Sequence, residues 1–278
     1  MKKGIDLSTF NDNVDFEKVK NSGIEFVLIR IGWIGNKQNH ETDVRFEEYY
    51  EKAKNVGLKI GFYVYSYVES SSAMTNAINW VKNKIANKTY EYPIFLDIED
   101  KQLNNISKTA LTDLCIQFCN SFSNSGVYAN KNWFTNKLDV TRLEQFKIWL
   151  ALYNGQDTYT ADFRVDIWQY TDNGTVDGIN TKVDMNYCYT DVENTTNATN
   201  TIIGGDFDMV TWKNGSTDEP VYQDLDCTKK IGTIYPREYA DCYGIIDGKY
   251  LVVYFITDSK GNVIARKAGF VKYNGGIK

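Results

Sequence analysis

Short apolar runs with strand character recur along the chain up to about residue 190, and helical segments separate most of them. Eight such runs are present, at 4–8, 26–32, 60–68, 92–99, 125–130, 146–153, 164–171 and 183–189. Segments that favour helix lie between the first six runs, at about 14–22, 43–56, 71–87, 107–122 and 131–144. Strands that alternate with helices predict βαβ units and a parallel sheet.

The rhythm changes after residue 146, where the gaps between the last three runs become polar and rich in Asn, Asp, Gly and Thr. Gaps of about ten residues are too short for the crossover helices that parallel strands normally need. The sequence therefore predicts an α/β fold, an irregular TIM-like barrel with about five βα units followed by three strands without helices. A full (β/α)₈ barrel typically needs about 250 residues.

A stretch dominated by Asn, Thr and Gly, ENTTNATNTIIGG at 193–205, follows the last run. It has the composition of a linker. Beyond it, short β-like runs and DG and KGN turn signals predict a small all-β module, SH3-like in size and rhythm. The predicted domains are a barrel at 1–192, a linker at 193–205 and a β-module at 206–278.

Charge and composition exclude several classes of function. The net charge of −5 and the pI near 5.1 argue against a nucleic-acid partner, which requires a basic surface. No apolar run approaches 18 residues, so we expect no membrane insertion. The start, MKKGIDLSTF, has no apolar core and predicts no secretory signal.

Cysteine and histidine usage argues against two further kinds of site. The five cysteines are few and odd in number, so reduced, mostly buried thiols are favoured over a disulfide scaffold. His40, the single histidine, lies in the polar stretch GNKQNHETD and is interpreted as a solvated loop residue. Ser–His–Asp catalysis and a multi-histidine zinc site are therefore not expected.

Carboxylates gather where a parallel barrel holds its reacting groups, at the C-terminal ends of strands. The fourth run ends in FLDIED, which places Asp97 and Glu99 at i and i+2 on one face, about 6–7 Å apart. Asp6 lies in the first run, and Asp184 lies at the start of the eighth, which neighbours the first once a barrel closes. Mutual repulsion should raise at least one carboxyl pKa.

Each of these residues also has an ordinary explanation. A lone D-x-E pair often caps a helix or faces solvent, and a single Asp often occupies a turn. Aromatic residues make up 14% of the chain, and Trp and Tyr in strands are more often core than sugar platforms. Arg30 is interpreted as a barrel-interior partner for an acid. A catalytic role for the acids is favoured only because the predicted barrel places them together. Carboxylates surrounded by aromatic side chains suit glycosidic-bond cleavage.

Seven segments in order resemble the motif series of the glycoside hydrolase family 25 lysozymes, N-acetylmuramidases of bacteria and phages. They are GIDLSTFN, GFYVYSY, FLDIED, GVYANKNWF, IWLALY, DIWQYT and VDMNY. The resemblance spans residues 4 to about 190 and implies an irregular barrel with five helices. It is nearest to a phage endolysin that lyses Gram-positive cells, with a cell-wall-binding module after the linker.

The resemblance also implies roles for individual residues. Glu99 matches the general acid, Asp97 its companion, and Asp6 and Asp184 the other two acids. The motifs that line the family's substrate groove contain Tyr63, Tyr65, Tyr128, Trp149 and Trp168. Two positions depart from the common pattern, Met185 where leucine is more usual and Arg30 where lysine is common.

The implied reaction is hydrolysis of the β-1,4 bond from N-acetylmuramic acid to N-acetylglucosamine in peptidoglycan, without a metal or organic cofactor. Substrate-assisted attack by the acetamido oxygen and an inverting route both stay open. Implied partners are peptidoglycan and a wall glycan bound by residues 206–278, which are also a candidate for setting the oligomeric state. The implied location is the host cytoplasm until a factor such as a holin releases the enzyme to the wall.

Other functions remain compatible with the same residues. A chitinase-like hydrolase also ends a barrel strand in D-x-E-type acids. A non-catalytic wall-binding protein would use the barrel only to hold glycan. A third possibility places the function mainly in residues 206–278, which would target the wall and set the oligomeric state; this possibility complements an enzymatic barrel.

Overall fold

The computed structural model describes residues 1–155, 158–193, 210–214, 217–246, 249–257 and 263–272. The chain divides into two compact units, Met1–Lys84 with Thr89–Asn197, and Ile85–Lys88 with Ala198–Lys278. From residue 194 on, the predicted linker lies outside the described residues. The predicted boundaries at 192 and 206 therefore stay a prediction.

The first unit alternates strands and helices along most of its length. Its strands are β1 (Lys2–Leu7), β2 (Phe26–Ile34), β3 (His40–Thr42), β4 (Lys59–Ser66), β5 (Ile94–Asp97), β6 (Ser125–Asn130), β7 (Lys147–Ala151), β8 (Ile167–Gly174) and β9 (Val183–Cys188). Its α-helices are α1 (Phe16–Asn21), α2 (Phe46–Asn55), α3 (Ser71–Ile85) and α4 (Lys108–Cys119). Three 3-10 turns (Asn36–Gln38, Lys101–Asn105, Val140–Leu143) and one π-helical turn (Trp133–Lys137) complete it.

Eight of these strands close into a barrel, as predicted. The sheet order is β1-β9-β8-β7-β6-β5-β4-β2-β3, and β1 also pairs with β2, which closes the ring. Six neighbouring pairs are parallel: β1–β2, β2–β4, β4–β5, β5–β6, β6–β7 and β7–β8. Strand β9 is antiparallel to both β8 and β1. The predicted adjacency of the first and eighth barrel strands is confirmed.

The barrel is irregular on the side of its last strands. The predicted fifth helix, 131–144, is a π-helical turn followed by a 3-10 turn, because Asn132, Thr135 and Asn136 are weak helix formers. Leu138 N accordingly donates to the Trp133 carbonyl five residues back. No helix is present in the described part of the connection between β7 and β8, although these two strands are parallel.

The polar stretch around His40 forms structure that the sequence did not predict. His40–Thr42 pairs with the end of β2 as a hairpin, and His40 Nδ1 accepts a hydrogen bond from Gly35 N at 3.3 Å. The His40 ring lies 5.5 Å from the Trp80 ring, and burial lowers the pKa of His40. The interpretation of His40 as a solvated loop residue is therefore wrong.

Aromatic side chains fill the barrel interior. Phe26 stacks on Tyr92 with ring centroids 4.4 Å apart, and Phe95 packs edge-on against Trp149 at 5.3 Å. A Cβ at Gly4 would lie 2.3 Å from the Phe26 ring, so only glycine fits opposite it. Much of the aromatic content of the sequence thus serves the core of a packed barrel.

The second unit is an antiparallel sheet in its described residues, which agrees with the all-β prediction. Its strands are β10 (Val210–Lys213), β11 (Glu219–Tyr222), β12 (Lys230–Ile234), β13 (Tyr239–Ile246), β14 (Lys249–Thr257) and β15 (Val263–Lys272), in the order β10-β13-β14-β15-β11-β12. The DG and KGN turns lie outside the described residues, but the strands that flank them pair as hairpins. The SH3-like label stays a prediction.

A search of the described residues found no helix that is both long and apolar enough to cross a membrane.

Candidate active site

Four carboxylates meet at the end of the barrel where the parallel strands finish. Asp6 on β1 and Asp184 on β9 are Cα partners across the antiparallel pair. Asp97 is the last residue of β5, and Glu99 follows two residues later. The charges of both Glu99 and Asp6 raise the pKa of Asp97, so the four acids form one electrostatic group. All four candidate acids are thus brought together.

Asp6 is held by three side chains. Its Oδ2 accepts hydrogen bonds from Gln169 Nε2 at 2.9 Å and from Asn186 Nδ2 at 2.7 Å, and a further side-chain hydrogen bond joins it to Asp184. Burial, and then the charge of Asp184, raise the pKa of Asp6 well above its usual range. Burial also raises the pKa of Asp184, whereas its bond to Asp6 lowers it. Burial and the neighbouring carboxylate thus favour the neutral form of Asp6.

Aromatic donors fix the orientation of the two amides that bind Asp6. Trp149 Nε1 donates to Asn186 Oδ1 at 2.8 Å, and the Tyr128 hydroxyl donates to Gln169 Oε1 at 2.8 Å. An indole N–H can only donate. Asn186 must therefore turn its NH₂ group toward Asp6. Neither Gln169 nor Asn186 was singled out from the sequence, although both are polar residues inside otherwise apolar strand motifs.

Asp97 is a buried carboxyl with an unused oxygen. It is 4% exposed, and burial, followed by the charges of Glu99 and Asp6, raises its pKa well above the usual range; Arg30 partly offsets this. The backbone N–H of Glu99 donates to the carboxyl. Asp97 Oδ1 is buried and has no hydrogen-bond partner among the described residues. An unpartnered buried carboxyl oxygen is rare in folded proteins and marks Asp97 as a candidate functional group.

Glu99 is half-buried and borders the open end of the barrel. Burial raises its pKa, and two hydrogen bonds from Asn130 to Oε2 lower it, one from Nδ2 at 3.0 Å and one from the backbone N at 3.2 Å. A carboxyl with a raised pKa that remains within reach of solvent can carry a proton to a bound molecule. Asn130 was not identified from the sequence.

Arg30 pairs with an acid, as predicted, and the acid is Asp43. Arg30 Nε lies 2.7 Å from Asp43 Oδ2, and the Asp43 side chain is buried. The guanidinium also lies 5.1 Å from the centroid of the Phe10 ring. Phe10 is 76% exposed at the same end of the barrel. Its position in the motif GIDLSTFN was a signal that the sequence interpretation passed over.

Three of the predicted groove tyrosines lie beside the acids. Burial and the charge of Asp6 raise the pKa of Tyr63. The Tyr65 hydroxyl donates to Asp100 Oδ2 at 3.0 Å, and Tyr65 is the Cα partner of Asp97 across β4 and β5. Tyr128, on the far side of β5, pairs with Asp97 in the same way. Of the three, Tyr65 is the most exposed.

The two tryptophans that were predicted to line the groove are buried, so the prediction that they contact substrate is wrong. Trp149 is 1% exposed and lies beneath Tyr63 and Tyr128. Trp168 is fully buried and lies outside the barrel, because its neighbour Gln169 points inward and side chains alternate along a strand.

Tyr153 is an exposed aromatic residue close to the acid cluster. Tyr153, just beyond β7, is about half exposed, and its hydroxyl donates to Gln169 Oε1. The charges of Asp184 and Asp6 contribute to a raised pKa of its hydroxyl. Tyr153 is the last residue of the motif IWLALY, and its position at the end of a strand could have identified it from the sequence as a candidate substrate contact.

The described residues contain no group of three or more His, Cys, Asp or Glu side chains arranged to hold a metal ion.

Comparison with known proteins gives one family match and several relatives. The model for glycosyl hydrolases family 25 matches residues 5–179. The autolytic lysozyme of Clostridium acetobutylicum is 30% identical over 192 residues, which cover 66% of this chain and 54% of that protein. The chain thus spans about half the length of this relative.

Two solved structures share the fold. One is the modular autolysin LytC of Streptococcus pneumoniae in complex with a synthetic peptidoglycan ligand, at a TM-score of 0.60 and 21% identity over 68% of this chain and 46% of that one. The other is the CTP1L endolysin, with a TM-score of 0.59 and 24% identity; the match covers 69% of this chain and 68% of that one. At these identities the likeness concerns the fold alone.

Proposed function

The chain belongs to glycosyl hydrolases family 25, and from this premise we propose that it hydrolyses peptidoglycan at the β-1,4 bond from N-acetylmuramic acid to N-acetylglucosamine. The observation that carries the proposal is the cluster of four carboxylates at the open end of the barrel. Within it, Glu99 has a raised pKa and lies beside the buried Asp97. Glycoside hydrolysis commonly uses a pair of neighbouring carboxyl groups, one of which donates a proton to the leaving oxygen.

Glu99 is the proposed proton donor. As the bond between the anomeric carbon and the bridging oxygen breaks, the Glu99 proton passes to that oxygen, which leaves as a hydroxyl. The acetamido oxygen of the muramic acid attacks the anomeric carbon and forms a cyclic intermediate. Ionised Glu99 then takes a proton from water, which opens the ring and restores the starting configuration.

Asp97 is the proposed orienter of the acetamido group. Its Oδ1 lacks a partner among the described residues and can bind the amide N–H of the substrate when Asp97 is ionised. Burial and the charges of Glu99 and Asp6 raise the pKa of Asp97, and the positive charge of Arg30 opposes them, so Arg30 is the neighbour that helps Asp97 to ionise. Asp6 and Asp184 hold one proton between them and so limit the negative charge around Asp97.

The inverting alternative would use Asp6 or Asp184 as the base that activates water. The contacts of Asp6 weigh against it, because its Oδ2 already accepts two hydrogen bonds and its remaining interaction is with Asp184. The anomeric configuration of the first product, followed by proton NMR, distinguishes the two routes. Retention supports the substrate-assisted route.

The biological setting is a further part of the proposal. The motif series of the sequence, which resembles that of phage endolysins, supports an endolysin that acts on Gram-positive walls. In this setting the all-β second unit binds a wall glycan, and the enzyme stays in the host cytoplasm until a holin-like factor releases it. Pull-down of purified walls by the full chain, compared with residues 1–192, tests the wall-binding role.

The deciding experiment measures loss of turbidity of purified Gram-positive walls, followed by reducing-end analysis. Wild type should release muramic-acid reducing ends, and Glu99→Gln should not, although it still binds walls. Glu144→Gln, at an exposed site outside the acid cluster, is the matched control and should keep full activity. New N-acetylglucosamine ends would reassign the bond, and cleavage of chitin oligomers alone would favour the chitinase-like alternative. Binding without cleavage would leave a recognition protein.

A further inference from the structure

A cleft of about 510 Å³ opens beside the carboxylates, on the same end of the barrel. Its lining comes from the end of β2 and from the loops that follow β2, β4 and β5: Trp33, Gly35, Asn36, Asn39, Tyr67 and Gln102. Its volume falls within the range of about 300–1,000 Å³ that small-molecule sites occupy. The sequence interpretation assigned no role to any of these residues.

An aromatic track connects this cleft to the catalytic acids. The Trp33 ring meets the Tyr67 ring edge-on at 5.7 Å, and Tyr67 lies 5.0 Å from Tyr65. Tyr65 in turn is the Cα partner of Asp97. The charges of Asp100 and Asp97 contribute to the raised pKa of the Tyr67 hydroxyl. The cleft is therefore a continuation of the acid site.

Hydrogen bonds between the loops hold the cleft in shape. Asn36 Oδ1 accepts from Glu69 N at 3.1 Å, and Asn36 Nδ2 donates to Glu69 Oε2 at 2.9 Å. Gln102 Nε2 donates to the Tyr67 carbonyl at 2.8 Å, and Tyr67 N donates to the Ile34 carbonyl at 2.7 Å. A site formed before its ligand arrives loses less free energy to ordering on binding.

The chemistry of the lining suits a neutral sugar ring. All six lining residues are uncharged, and they combine two aromatic rings with three side-chain amides. Aromatic faces pack against the C–H face of a pyranose, and amides hydrogen-bond to hydroxyl and acetamido groups. A stem peptide carries ionised groups, which would gain little from an uncharged lining.

We propose that this cleft is a binding subsite for an N-acetylated amino sugar of the same glycan strand, beyond the two rings joined at the scissile bond. This inference rests on the proposed function and adds a distal contact to it. The enzyme then prefers longer glycan strands, because only these reach from Asp97 along Tyr65 and Tyr67 to Trp33.

The test uses peptide-free glycan oligomers of increasing length, with alternating N-acetylglucosamine and N-acetylmuramic acid. kcat/KM is measured for wild type, Trp33→Ala and Tyr67→Ala, with Tyr189→Ala as the control for loss of a tyrosine on the outer face of the barrel. Trp33→Ala and Tyr67→Ala should lose about ten-fold in kcat/KM on long oligomers, mostly through KM, and little on the shortest oligomer cleaved. Tyr189→Ala should match wild type at every length.

An equal loss at all lengths would overturn the proposal, because a merely structural role has no length dependence. A loss seen only on peptide-bearing walls would overturn it in favour of a stem-peptide site. If wild type cleaves no oligomer, the proposed function fails. Affinities for the same oligomers, measured by calorimetry, then test the binding subsite separately. Weaker binding by Trp33→Ala than by wild type would then support it, and equal binding would reject it.

Discussion

Asp6 and Asp184 face each other across the antiparallel pair of β1 and β9. The first residue lies near the start of the chain and the second near the end of the barrel. Their side chains share a hydrogen bond, and burial disfavours a negative charge on either. Barrel closure thus creates a carboxyl pair that binds a proton more tightly than two separate acids would.

Asp6→Asn should reduce the pH dependence of stability. Because the pKa of Asp6 is raised in the folded protein, the unfolded chain releases this proton first as pH rises above about 4. The free energy of unfolding of wild type should therefore fall as pH rises from that value to the folded pKa. Asn in place of Asp6 keeps a neutral group that accepts from Gln169 and Asn186 and donates to Asp184.

Urea denaturation of wild type and Asp6→Asn from about pH 4 to about pH 8 checks this, with the variant more stable at the alkaline end by an amount on the order of 1 kcal/mol. Parallel profiles for the two proteins would show that Asp6 does not hold the proton.

Gln169→Leu should weaken both the fold and catalysis. It removes a donor from Asp6 and leaves the Tyr128 hydroxyl without its acceptor in the barrel interior. We expect a decrease of about 1–3 kcal/mol in the free energy of unfolding. Gln117→Leu is the matched control, because the Gln117 amide donates at the surface to Ser71 O and Thr75 Oγ1.

Asn130→Ala should move the alkaline limb of the activity profile. The Asn130 amide stabilises ionised Glu99, so its removal raises the pKa of Glu99 further. Glu99 then stays protonated to higher pH, and kcat/KM should persist to higher pH than in wild type. Asn132→Ala, which removes a hydrogen bond with Asn136, is the control. A limb that stays in place or moves to lower pH argues against Glu99 as the acid.

Trp149→Phe and Trp168→Phe should have different effects, although both tryptophans are buried. Trp149→Phe removes the N–H that orients Asn186, so kcat should fall by about ten-fold. Trp168→Phe removes a bond to the Leu152 carbonyl and leaves a cavity, so it should lower the free energy of unfolding by about 1–3 kcal/mol with kcat and KM unchanged. Steady-state kinetics together with thermal unfolding separates the two. A raised KM for Trp168→Phe would restore it as a substrate contact.

Limited proteolysis should cut the chain between about 190 and 206, because the Asn/Thr-rich composition there has few groups that could pack in a core. Mass spectrometry of the fragments locates the cut. A chain that survives digestion under conditions that degrade an unfolded control would contradict the predicted linker.

The strand positions and the D-x-E spacing could be predicted because they depend on neighbours in sequence. Alternation along one strand predicts Asp97 and Glu99 on a common face, although β5 ends at Asp97 and Glu99 lies just beyond it. The 131–144 segment was predicted as a helix from its spacing, and His40 as a loop residue from its polar neighbours. The first prediction failed because Asn132, Thr135 and Asn136 are weak helix formers. The second failed because His40 pairs with the end of β2 and its ring packs near Trp80, a contact with a residue distant in sequence.

By itself, the sequence determined the order of the barrel strands, the carboxylates at their ends and the aromatic filling between them. Only the tertiary structure decided which face of each strand points inward, so that Trp149 lies under the acids while Trp168 lies outside. It also decided that Gln169 and Asn186 bind Asp6. The physical reason is that alternation fixes relative faces within one strand, whereas the inward face follows from register between strands and from closure of the barrel.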